Sequence, residues 1–214
     1  MKRIALIHAL QHSIEPINSA FIRHWPEALR VNILDDSLSA DLAGNGGILD
    51  EAMHNRFETI ADYAVKTGAD GILFTCSAFG SCIERVATKH RNIPVLKPNE
   101  AMIAEAVAHG GPIGLIASFA PTLVSMPPEF PAGTDLCTAL VSDAMDALDR
   151  GDIAHHDALV VAASRQLAAQ GARVIALAQF SMARAASAVF AATGLPVLTT
   201  PDSGIRLLRA RLDA

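Results

Sequence analysis

The stretch Gly68-Ala69-Asp70-Gly71-Ile72-Leu73-Phe74-Thr75-Cys76-Ser77-Ala78-Phe79-Gly80 decides the fold. Gly68 stops a helical pattern, and Gly71–Phe74 is a short apolar run suited to a buried strand. Thr75-Cys76-Ser77-Ala78 is a small polar elbow that leads into the next helical pattern. In an open parallel sheet, ligands bind beyond the carboxyl end of a strand that feeds a helix. Helix-start N–H groups there attract carboxylates or phosphates, and they can lower the pKa of a thiol. Cys76 is therefore the first candidate for chemistry.

The stretch occurs twice. Gly68 to Ser77 reappears as Gly171-Ala172-Arg173-Val174-Ile175-Ala176-Leu177-Ala178-Gln179-Phe180, 103 residues on. Ile93-Pro94-Val95-Leu96 matches Leu195-Pro196-Val197-Leu198 at an offset of 102, and Ile4-Ala5-Leu6-Ile7 matches Ile113-Gly114-Leu115-Ile116 at 109. Near-constant offsets over three strands imply two similar halves of about a hundred residues, a common size for small α/β units. Residues 1–110 form the first half and 111–214 the second, with Gly110-Gly111-Pro112 as the boundary. The first strand and the final helix are the elements able to exchange between halves. In this alignment Cys76 falls opposite Gln179.

Strand patterns alternate with helical ones along the chain, which predicts an α/β fold: two Rossmann-like halves, each with a parallel sheet and right-handed crossovers. The expected strands include Ile4–His8, Val31–Leu34, Gly71–Phe74 and Pro94–Leu96, then Ile113–Ala117, a weak one near Asp135–Thr138, Val174–Ala178 and Val197–Leu198. Ser37–Gly47 is polar and glycine-rich and reads as a loop and candidate lid. With two similar halves, a cleft between them is the expected site.

Composition narrows the function classes. Of 214 residues, 51% are apolar and 18% charged, enough for a sizeable core. No apolar run approaches the length of a membrane span, and Met1-Lys2-Arg3 leads into a strand with no cleavage pattern after it. The net charge is −5 with basic residues scattered, which argues against a nucleic-acid partner. Three cysteines without a CxxC pair suit reduced thiols in the cytoplasm. The alanine-rich helices suit close packing into a homodimer.

Among candidate residues, Cys76 stands out by position, while Cys82 and Cys137 read as small core fillers. His8 ends the first strand, where it can serve as ligand donor or proton carrier or simply as a satisfied strand-end histidine. His155-His156 begins a polar helical stretch and reads as a solvated pair. No spacing suggests a metal site, and the GxGxxG, GxxxxGK[ST] and GxSxG patterns are all absent.

The strand Ile4–His8, the elbow Phe74-Thr75-Cys76-Ser77, the Pro94 strand, Ile113-Gly114-Leu115-Ile116-Ala117-Ser118 and the second elbow Leu177-Ala178-Gln179-Phe180-Ser181-Met182 together resemble the aspartate/glutamate/hydantoin racemase superfamily. Arylmalonate decarboxylase and maleate isomerase belong to the same superfamily. The resemblance implies an isomerase or lyase that acts beside the carboxylate of a small acid and needs neither pyridoxal phosphate nor a metal. It gives Cys76 the acid/base role, and Ser77, Ala78, Phe180 and Ser181 the contacts to a carboxylate. Thr75, His8 and Ser118 complete the expected substrate-binding set. In the racemases one cysteine from each half faces the substrate, and the developing enediolate needs electrostatic stabilisation. Here Gln179 occupies the second position, and an amide can orient a substrate but supplies no proton as a thiol does. A non-catalytic carboxylate-binding protein of the same fold is the alternative, and a hydrolase using Cys76 a third. A dicarboxylate would need Arg85, Arg184 or Lys97.

Overall fold

The computed structural model describes residues 1–213. The chain forms two compact units, Met1–Pro98 with the stretch from Gly204 onward, and Asn99–Ser203. The first division thus falls at Pro98/Asn99 instead of at the glycines near 110, and the C-terminal stretch clusters with the first unit. Among the described residues, no helix is long and apolar enough to cross a membrane.

The first unit runs β1 (Arg3–His8), α1 (Ile14–His24), β2 (Leu29–Leu34), α2 (Leu38–Gly44), α3 (Glu51–Lys66), β3 (Gly71–Phe74), α4 (Gly80–Lys89) and β4 (Val95–Leu96). From Asn99 the chain continues through α5 (Glu100–His109), β5 (Ile113–Ala117), α6 (Ala120–Ser125), β6 (Leu136–Leu140), α7 (Asp143–Asp149), α8 (Ile153–Ala169), β7 (Val174–Leu177), α9 (Ala186–Thr193), β8 (Val197–Thr199) and α10 (Thr200–Asp213). Each unit holds one four-stranded sheet, in the order β2-β1-β3-β4 and β6-β5-β7-β8, and every pairing is parallel. The α/β class and the two parallel sheets are those the sequence pattern predicts.

The register reproduces the repeat. Ile7 lies beside Phe74 in the first sheet and Ile116 beside Leu177 in the second. Ile72 pairs with Val95 and Ile175 with Val197. The ladders end alike: the Thr75 N–H donates to the Ile7 carbonyl at 3.0 Å, and the Ala178 N–H to the Ile116 carbonyl at 2.9 Å. Cys76 and Gln179 are each the next residue, so they share one place in the fold.

Matching caps frame the two elbows. Asp50 caps α3 by accepting the Met53 N–H at 2.9 Å, and Asp152 caps α8 by accepting the His155 N–H at 3.1 Å, each worth about 1 kcal/mol. Both helices end before a glycine with positive φ, Gly68 at 86° and Gly171 at 100°, a conformation that L side chains rarely adopt. Along α3 the buried stripe is Met53, Phe57, Ala61 and Ala64. Phe57 stacks against Phe74 with centroids 5.4 Å apart and lies 4.9 Å from Phe79, which anchors the first elbow to its covering helix.

In the second sheet, period-2 alternation divides the core. Ile113, Leu115, Ala117, Val174 and Ala176 pack with α5, while Ile116, Ile175 and Leu177 pack with α8 and α9.

Two local expectations change. The loop at Ser37–Gly47 contains the helix α2, because Leu38 is buried in the core and Arg56 of α3 binds Asp35 at 2.7 Å and Asp41 at 2.6 Å. The Arg56 guanidinium also holds the Asp41 carboxyl below its ordinary pKa. Both elbows begin with 3₁₀ turns, Ser77–Phe79 and Phe180–Ala185, before the α-helix proper.

Close packing of β5 against α8 makes Gly114 a sensitive position. A Cβ there would lie 2.9 Å from Ile175 Cδ1 and 3.2 Å from Leu167 Cβ. Gly114→Ala should lower the unfolding free energy by about 1–3 kcal/mol, read as a lower urea midpoint. Gly44→Ala, in helical backbone with nothing within 4 Å of the new carbon, should raise stability by roughly 0.4–1 kcal/mol. Equal effects of the two substitutions would contradict this packing.

Candidate active site

In the first unit the strand β3 delivers Thr75 and then Cys76, whose extended backbone (φ −127°, ψ 123°) caps the 3₁₀ turn Ser77–Phe79. The thiol is half-buried, and a small cavity beside it is walled by Ile7, Leu38, Phe57, Phe74 and Phe79 together with His8. Burial pushes the Cys76 pKa above the ordinary thiol value, opposed by a hydrogen bond from the Ala78 N–H. At neutral pH the group is a protonated thiol. Ala78 therefore directs its N–H at the sulfur, while Ser77 occupies the first position of the turn.

His8 lies under this elbow, fully buried at the end of β1. Its Nε2 is 2.9 Å from Asn32 Oδ1, and its Nδ1 is 3.0 Å from Thr75 Oγ1. A carbonyl oxygen can only accept, so Nε2 carries the proton and Nδ1 accepts from the Thr75 hydroxyl. Asn32 is in turn tied to Asn18 Oδ1 at 3.4 Å. Both ring nitrogens are thus engaged within the unit. Desolvation lowers the His8 pKa to about 4, against a smaller raising effect of the bond to Asn32. The ring is neutral at pH 7.

In the second unit Gln179 takes the Cys76 position, with extended backbone (φ −116°, ψ 148°) ahead of its own 3₁₀ turn. Its Oε1 accepts the Ser118 N–H at 2.8 Å and its Nε2 donates to Thr122 Oγ1 at 3.2 Å. The amide thereby braces the segment that follows β5. Phe180 and Ser181 are both buried in the turn. Ser118 is buried too, and its hydroxyl has no hydrogen-bond partner among the described residues.

The cations considered for a dicarboxylate are occupied within their own units. Arg85 binds Glu58 and Glu51, Lys97 binds Glu84 at 2.8 Å, and Arg184 binds Asp157 at 3.2 Å. Cys82 is fully buried in the apolar core, its pKa pushed up to about 11, first by desolvation. Cys137 is half-buried in β6. Among the described residues no group of three or more His, Cys, Asp or Glu side chains is arranged to hold a metal ion.

Sequence reasoning missed two features. Asn32 is a polar residue in an edge strand, and only the fold reveals it as the partner of His8. His156, read as solvated, is completely buried, and its Nδ1 lies 2.7 Å from Asp157 Oδ1. The usable signal was helical spacing: His156, Val160, Ala163 and Leu167 form one buried stripe of α8.

Comparisons with known proteins agree with this architecture. The family model described as Asp/Glu/Hydantoin racemase matches residues 49–208. Among solved structures, an aspartate racemase homologue from Pyrococcus horikoshii superposes with a TM-score of 0.71 at 14% identity, covering 100% of both chains. A glutamate racemase isoform from Bacillus anthracis gives 0.73 at 14% identity, covering 99% of this chain and 82% of that one. Allantoin racemase from Klebsiella pneumoniae gives 0.68 at 18% identity, covering 98% and 87%. At these identities the structural likeness speaks for the fold alone. No curated protein sequence matches.

The buried His8 makes stability depend on pH with a definite sign. Between its unfolded pKa near 6.5 and its folded value of about 4, the unfolded chain binds a proton that the folded chain does not. Stability is then fully present above pH 6.5 and is lost as pH falls toward 4, by on the order of 3 kcal/mol. Urea unfolding of the wild type at pH 7 and pH 4.5 should show this loss, and His8→Gln, with no ring to protonate, should show a smaller one. Identical pH slopes for the two proteins would exclude His8 as the cause.

Proposed function

Because the chain belongs to the Asp/Glu/hydantoin racemase family, we propose that this racemase-family enzyme acts at the carbon beside the carboxylate of a small acid. In this reading it is an isomerase or lyase that needs no cofactor, and Cys76 is its proton-transfer group. Gln179 orients the acid and moves no proton. The observation that carries the reading is the shared register of the two elbows, which gives the thiol and the amide equivalent places after β3 and β7.

The chemistry follows from the state of the thiol. As a protonated group with a raised pKa, Cys76 in the resting protein is a proton donor. Once deprotonated it is a stronger base than an ordinary thiolate, suited to a weakly acidic carbon. The Ala78 N–H stabilises the sulfur anion, and the apolar walls keep water from competing for it. Cys76 takes the α-proton, and the electron pair left on carbon is delocalised into the neighbouring carboxylate. Return of a proton to that carbon completes exchange.

The test is deuterium uptake at the α-carbon, followed by NMR in D2O with both enantiomers of aspartate and glutamate. An acid that exchanges in the wild type should lose exchange by about 10²–10⁴-fold in Cys76→Ala, and Cys76→Ser should lose it as well. Exchange should also climb with pH above the ordinary thiol range, as the thiolate fraction of a thiol with raised pKa grows. Undiminished exchange in Cys76→Ala would sink the assignment. Binding without exchange in the wild type would instead favour a carboxylate-binding protein of the same fold.

A further inference from the structure

The small cavity beside Cys76 has one wall that is lightly held. Ile7 and Phe74 belong to β1 and β3, Phe57 to α3 and Phe79 to the elbow, whereas Leu38 belongs to α2. That helix buries Leu38, half-buries Leu42, and leaves Ala40, Asp41, Ala43 and Gly44 exposed. The second unit fixes the same place in the fold more firmly. There α7 lies between β6 and α8, as α2 lies between β2 and α3. It buries Ala144, Ala147 and Leu148 and packs along α8. Residues 150–152 join it to α8, while the longer link 45–50 joins α2 to α3. That link includes Gly46 (φ 63°) and Gly47 (φ 80°), where a Cβ would meet nothing within 4 Å. Glycines in open space let the backbone change direction without steric cost.

On its other side α2 follows Asp35, whose N–H donates to the His8 carbonyl at 3.0 Å and closes the β2 ladder. Asp36 and Ser37 lie beyond that last bond and are exposed. The segment therefore has a pivot at each end. Arg56 of α3 spans the first of them. Its Nε donates to Asp35 Oδ2 at 2.7 Å and its Nη2 to Asp35 Oδ1 at 2.5 Å, while Nη1 donates to Asp41 Oδ2 at 2.6 Å. The Ser37 hydroxyl sits between the two carboxylates, 3.1 Å from Asp35 and 3.3 Å from Asp41. The two arms of the guanidinium differ. Asp35 is fixed to the sheet through its backbone, is held by two nitrogens, and has a side chain 23% exposed. Asp41 rides on α2, is held by one nitrogen, and is 54% exposed. An exposed ion pair is weak and screened by salt, so the Asp41 arm is the one that releases while Arg56 stays on Asp35.

We propose that α2 is a hinged lid over the Cys76 cavity, latched shut by the Arg56–Asp41 pair. In the latched state Leu38 closes the cavity that the thiol lines. When Asp41 leaves Arg56, the helix swings about residues 36–37 and 44–47, carries Leu38 out of the core, and opens the thiol to a small molecule. Arg56 and Asp41 are positioning residues, because they act on the site through Leu38. The lid governs access to Cys76, and it does so whether the thiol transfers protons or only lines a binding site.

Alkylation by N-ethylmaleimide, an uncharged reagent, reads the opening, with peptide mass spectrometry separating Cys76 from Cys82 and Cys137. In the wild type at fixed pH, the Cys76 rate should rise roughly twofold to fivefold from low salt to about 0.5 M sodium chloride, as the latch is screened. This arm needs no variant to fold. Asp41→Asn should show the higher rate already at low salt and lose the salt dependence. Leu38→Ala removes the wall without touching the latch, so it should also raise the low-salt rate and flatten the response to salt. Cys82, buried in the core of the same unit, should stay unreactive throughout, which separates lid opening from unfolding. A Cys76 rate indifferent to salt in the wild type overturns the proposal. So does an Asp41→Asn protein with the wild-type rate and salt dependence, or Cys82 reacting in step with Cys76. A gated thiol without any α-deuterium uptake would keep the lid and reject the proton-transfer role of Cys76.

Discussion

The structure depends on where two parallel ladders stop. The last backbone bonds of β3 and β7, from Thr75 to Ile7 and from Ala178 to Ile116, hold each strand in the sheet up to the residue before the elbow. The next residue, Cys76 in one unit and Gln179 in the other, leaves the ladder and caps a 3₁₀ turn. The backbone of that residue is set by pairing and by the apolar strand before it. Its side chain is set by neither. The same scaffold therefore carries a thiol in one copy and an amide in the other without any change of register.

What differs between the copies is how the polar groups beneath the elbows are satisfied. In the first unit Thr75, His8 and Asn32 form a chain of side-chain hydrogen bonds. The positions matching His8 and Thr75 in the second unit are Ala117 and Ala178, both in its apolar core. There the polar work passes to the elbow residue itself, since Gln179 binds Ser118 and Thr122. A thiol could not replace it in both bonds, because sulfur is a weak donor and acceptor with a shorter reach. The glutamine at the second elbow is thus tied to its local hydrogen-bond network.

The parts of the fold legible in the sequence were those written in period and punctuation. Short apolar runs, the helix-stopping Gly68 and Gly171, and the repeated offsets predict both sheets and align Cys76 with Gln179, and the registers reproduce that alignment. The helix α2 was hidden because its stretch is polar and glycine-rich. Its position comes from Leu38 entering the core and from Arg56 on the helix that follows. His156 was hidden for the opposite reason. A histidine pair in a polar run looks solvated, and only the spacing to Val160, Ala163 and Leu167 places one member inside. Local composition misleads wherever burial is decided by packing that the composition of the stretch itself does not show.

Burial also determines how the first elbow can work. His8 and Cys76 line the same small cavity, and desolvation drives both toward their neutral forms, the imidazole by a lowered pKa and the thiol by a raised one. His8 therefore provides no imidazolium to draw a thiolate beside it, unlike the charged thiolate–imidazolium pairs of cysteine hydrolases. With no cation among the cavity walls, the thiol keeps its proton in the resting state. A carboxylate arriving nearby would raise its pKa further, since like charges disfavour ionisation. At neutral pH the resting elbow therefore holds a neutral thiol beside a neutral imidazole. A thiolate formed at this position has the Ala78 N–H as its one identified stabilising contact.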